Sequence, residues 1–132
     1  MNTKLSKAAA VLAFIIGGMA IFAGGKVLLG NDPGYYVIDW LPVYNFIAGL
    51  ASFAVAAVLI WKNSRYALPA TVITLGFHSA VMAILQTAYS SVVAPDSIQA
   101  MTLRISVWVV ILVLMLIERR QNAPAPKMQE QG

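Results

Sequence analysis

The chain has 132 residues, 60% of them hydrophobic and 11% charged, with nine Lys or Arg against five Asp or Glu and no cysteine. That balance lies outside the range of soluble domains, so it excludes a soluble catalytic or nucleic-acid-binding module and points to a multi-pass membrane protein in a lipid bilayer. The lack of cysteine also excludes disulfides, thiol redox chemistry and thiolate metal sites.

Four apolar runs, 8–29, 44–61, 68–89 and 97–117, each approach the roughly 20 residues that an α-helix needs to cross the hydrocarbon core. None shows the alternation of a barrel strand, and helices satisfy their own backbone groups in lipid. The predicted fold is therefore all-α: one domain over 1–117, an antiparallel bundle of four transmembrane helices, followed by a disordered cytoplasmic tail over 118–132.

The first run opens like a signal peptide, with "MNTKLSK" before "AAAVLAFIIGGMAIFAGG". It continues through "KVLLG", longer than a typical signal core, and is read as an uncleaved first span. Gly17 and Gly24, like Gly18 and Gly25, are seven residues apart and share a face, where missing side chains let another backbone approach closely. The second run presents Ala48, Ser52 and Ala56 at four-residue spacing, with Gly49 beside them. A close contact between helices one and two is expected, with self-association of the first helix as the competing use.

Between these runs lies "NDPGYYVIDWLPVYN", residues 31–45, which combines turn chemistry with Tyr35, Tyr36, Trp40 and Tyr44, aromatics suited to the headgroup level. The second connection, "KNSRYALP", is short and makes helices two and three neighbours, and Pro69 suits a first helical turn. The fourth run, "SVWVVILVLMLI", is bulky and apolar after Arg104, and "NAPAPKMQEQG" has no periodic apolar face.

Lys4, Lys7, Lys62, Arg65, Arg119, Arg120 and Lys127 all fall at the N-terminus, in the second connection or in the tail, whereas Asp32, Asp39 and Asp96 fall in the first and third connections. The excess of Lys and Arg on one side predicts a bacterial inner-membrane protein with both termini cytoplasmic. The basic pI near 9.6 thus reflects topology, and no nucleic-acid partner is expected.

Ionisable and polar groups at membrane depth nominate the candidate site, which comprises Lys26, Asp39, Asn45, His78, Gln86 and Arg104. Lys26, near the end of helix one, can snorkel to water. Arg104 lies too deep for that and is expected to pair with Asp39, with Asp32 and Asp96 as alternative partners. The same groups, with Asn45, Gln86 and the tyrosines, could instead line a small polar vestibule for an anionic or quinone-like headgroup. His78 reads as a core histidine bonded to a serine or a carbonyl oxygen, with a proton relay or a haem ligand as sharper roles. Met82, Gln86 and Tyr89 follow His78 on roughly one face. No nucleophile–base pair, phosphate loop or metal-ligand cluster is present in the sequence, so no catalytic or metal residue is assigned.

The segments "IIGGMAIFAGGKVLLG" and "YNFIAGLASFAVAAVLIWKNSRYALPA" resemble DoxX-like small integral membrane proteins over about half the chain. The resemblance implies a four-helix bundle and an accessory role near respiratory or sulfur-redox components. One departure is Asn45, where many members of that family begin the second helix with a glutamate. The leading expectation is a non-catalytic accessory or stabilising subunit of a membrane assembly, in contact with other membrane proteins or a second copy of itself. The alternative is a binder or carrier of a small lipophilic molecule such as a quinone, and an enzyme using His78 ranks third.

Overall fold

The computed structural model describes residues 3–123. Four helices account for the fold: α1 (Lys4–Leu28), α2 (Leu41–Trp61), α3 (Ala67–Thr87) and α4 (Pro95–Gln121), each long and apolar enough to cross a membrane. No strand occurs among the described residues.

Helix boundaries follow local chemistry. Pro42 and Pro95 stand in the first turns of α2 and α4, where a missing N–H costs nothing. α1 ends where Gly30 takes φ +97°, and the amides of Gly30 and Asn31 return to the carbonyls of Val27 and Lys26. α2 ends in the same pattern, with Asn63 at φ 55° in the left-handed position and the amides of Asn63 and Ser64 on Ile60 and Leu59.

Three boundaries differ from the sequence reading by three residues or more, the first being α1, which begins at Lys4 ahead of the predicted 8. α2 begins at Leu41, ahead of the predicted 44, because Pro42 and Leu41 pack inward and start the helix early. α4 runs through Gln121, so the first residues of the predicted tail are helical. They are held by Glu118, which is 2% exposed and accepts hydrogen bonds from the Ser6 backbone N–H at 3.0 Å and the Ser6 hydroxyl. Residues 124–132 of that tail lie outside the described residues.

α1 and α2 meet backbone to backbone. A Cβ on Gly17 would lie 2.8 Å from the Phe53 nitrogen, one on Gly24 2.6 Å from the Pro42 oxygen, and one on Gly49 2.7 Å from the Ile21 nitrogen. The expected small-residue seam is therefore an intramolecular contact, with Ser52 and Ala56 buried along it. Gly18 and Gly25 lie beside it, next to the rings of Phe53 and Phe46. Within the seam, Ala51–Ala56 of α2 is wound as a π-helix, which periodicity did not foreshadow.

The interior is small and the exterior bulky. Ala9, Ala10, Ala13, Ala56, Ala57 and Ala67 pack around Trp108, Ile111 and Met115 in one half of the bundle. Ile38, Leu41, Val81, Leu85 and Met101 form the core of the other half. Phe14, Phe22, Ile47, Phe77 and Leu103 face outward, as expected for side chains whose solvent is lipid rather than water.

A candidate polar site around Arg104

Arg104 is the tenth residue of α4, about 13 Å along the axis from the start of the helix at 1.5 Å per residue. Its helical face also includes Ser97, Met101 and Trp108, all buried, so the guanidinium is turned inward and is only 7% exposed. Its Nη1 donates to Asn45 Oδ1 at 2.7 Å. The expected ion pair with Asp39 does not form, and neither Asp32 nor Asp96 replaces it among the described residues. All three aspartates are exposed. In the connection, Ile38 packs into the bundle at 3% exposed, while the adjacent Asp39 is on the surface, away from the buried guanidinium.

Asn45 and Tyr44 are consecutive on α2 and serve different neighbours. Asn45 reaches α4, whereas the Tyr44 hydroxyl lies 2.7 Å from Nδ1 of His78 on α3. His78 is 3% exposed, and its phenol partner replaces the serine or carbonyl expected from sequence. A second tie joins the connection to the end of α3, where the Trp40 indole N–H donates to the Tyr89 hydroxyl at 3.0 Å and the two rings meet edge to face.

A cavity of about 50 Å³ lies beside Arg104, lined by Arg104, Asn45, Ser97 and Tyr35 as its polar groups and otherwise by apolar side chains of α1, α2, α4 and the first connection. Lys26 does not reach this space. It is exposed, with Nζ 5.1 Å from the centre of the Phe22 ring, and it lines an adjoining groove with Asp32. Gln86 is also exposed and lies off the buried His78–Val81–Leu85 stripe of α3. Of the six candidates, the structure thus brings Asn45 and Arg104 together directly and His78 into the same polar layer through Tyr44.

Three groups were missed. The sequence places Tyr44 at the interface or in the vestibule but does not give its contact with His78, although its place next to Asn45 on a helix facing two neighbours is a usable signal. Glu118 was assigned to the tail. The indole N–H of Trp108, 0% exposed one turn beyond Arg104, has no hydrogen-bond partner among the described residues.

His, Cys, Asp and Glu side chains form no group of three able to hold a metal ion among the described residues. No family model matches the chain, and neither does any curated protein or solved structure.

Proposed function

We propose that this multi-pass membrane protein binds a small lipophilic molecule in the half of the bundle that contains Arg104. The observation that supports this most is a buried arginine beside a cavity, answered by a neutral amide instead of a carboxylate. Charge inside a membrane is costly, and where no internal counter-charge accompanies it a ligand is the natural complement. On the orientation favoured by the Lys and Arg distribution, with both termini in the cytoplasm of a bacterial inner membrane, this half faces the outer leaflet.

A role as an accessory subunit of a redox or respiratory assembly, the role implied by the DoxX-like resemblance, has less support. The glycine face that suggested helix-mediated association is occupied within the chain by α2. The Tyr44 hydroxyl at Nδ1 orients the His78 ring and is not specific to haem ligation.

The test is purification in mild detergent followed by mass spectrometry of the extract. A lipophilic small molecule retained in stoichiometric amount by the wild type and lost from Arg104→Gln is the expected result. A stoichiometric protein partner with no retained small molecule would overturn the proposal in favour of the accessory role.

A further inference from the structure

The cavity at Arg104 and the groove at Lys26 are continuous in their walls: both are lined by Ala23, Val27 and Tyr35. The groove has a volume of about 380 Å³ and the cavity about 50 Å³. Size limits what can enter the inner space. A dry cavity of about 150 Å³ accepts a benzene ring. A volume near 50 Å³ is about a third of that and so favours a compact head group over a quinone ring.

Charge narrows the class further. In the groove, Lys26 is accompanied by the carboxylate of Asp32, so the two formal charges cancel at the mouth. At the inner end, Arg104 is accompanied by Asn45, Ser97 and Tyr35, all neutral as hydrogen-bonding partners, and the formal charge is positive. A group moving inward thus passes from a balanced mouth to an unbalanced cation. The guanidinium presents five donors in a planar fork, of which Nη1 is engaged by Asn45, and such a fork suits carboxylate and phosphate oxygens.

We propose that the cavity takes the oxyanion head, a carboxylate or a phosphate monoester, of a single-chain amphiphile whose apolar tail lies toward the groove and the surrounding lipid. This deepens the lipophile-binding reading above and rests on it. Arg104 binds the oxyanion, Asn45 holds the guanidinium in place, and Tyr35, which lines both spaces, stands at the passage between them.

The experiment measures binding to the purified full chain in detergent, using oleate, dodecyl phosphate, methyl oleate, a short-chain ubiquinone and inorganic phosphate as probes. Oleate or dodecyl phosphate is expected to bind about thirtyfold or more tightly than methyl oleate, the range found when one member of a buried charge pair is lost. Arg104→Gln should abolish that preference. Because this variant removes a buried group and can fail to fold, Ala100→Phe provides a second arm: it fills the cavity, leaves the charge intact and should also lower oxyanion affinity. Equal binding of the neutral ester and the ubiquinone, unaffected by Ala100→Phe, would overturn the oxyanion assignment while leaving a lipophile-binding protein. Inorganic phosphate binding as tightly as dodecyl phosphate would overturn the amphiphile and leave a free-anion site. No binding of any probe would overturn both this inference and the function it rests on.

Discussion

Arg104 and Asn45 form the shortest polar contact between α2 and α4, 2.7 Å between a cation and a neutral acceptor. Hydrogen bonds to charged groups contribute about 1.5–3 kcal/mol, so Asn45→Ala should lower thermal stability in detergent by an amount in that range. In a double-mutant cycle, Asn45→Ala and Arg104→Gln are expected to couple, whereas Asp39→Asn and Arg104→Gln are expected to add, since Asp39 is exposed and unpaired with the arginine. Additivity in the first pair with coupling in the second would refute the contact assigned here. At this scale the sequence was informative about which residues matter and poor about whom they meet. Arg104, His78 and Asn45 are legible because a polar group at membrane depth is expensive wherever it occurs. Their partners are not, because choosing between Asp39 and Asn45 depends on side-chain direction in the connection, where Ile38 is buried and Asp39 exposed, and no periodicity encodes that.

Among the helices, the α1–α2 seam is the element most sensitive to added volume. A methyl group at Gly24 or Gly49 would come within 2.6 or 2.7 Å of backbone atoms, distances that no side-chain rotation relieves. Gly24→Ala and Gly49→Ala should each destabilise the bundle by about 1–3 kcal/mol, the usual range for overpacking. Gly18→Ala is the control: its Cβ would be 3.8 Å from the Phe53 ring, an ordinary contact, and its melting temperature should stay near that of the wild type. Helix propensity favours alanine over glycine at all three positions, so a loss at Gly24 and Gly49 reports the approach of backbones, and an equal loss at Gly18 would refute that reading. The seam itself was readable from the seven-residue glycine spacing and the small residues opposite. The π-helical turn at Ala51–Ala56 was not. One extra residue in a turn changes which side chains face inward without altering composition, and the small residues and single serine of this segment carry no pattern that marks it.

For the molecule as a whole, the four-span fold was the most legible feature, since length and hydropathy alone suffice where lipid is the solvent. Orientation follows from charge, not from packing, and it is testable by reporter fusions. A reporter after Gly132 and one within residues 31–39 are expected on opposite sides of the membrane, the former in the cytoplasm. The same side for both would refute the topology and with it the outer-leaflet position of the Arg104 cavity. The hydrogen bonds from Ser6 to Glu118 have a consequence for biosynthesis. They join the third residue of the first span to the last turn of the last one, so the opening turn of α1 waits for α4 to be translated before its partner exists. A nascent or truncated product lacking that final turn retains three complete spans, yet leaves the beginning of the first one unfastened. Copies with and without that final turn thereby differ in structure at one end of the bundle.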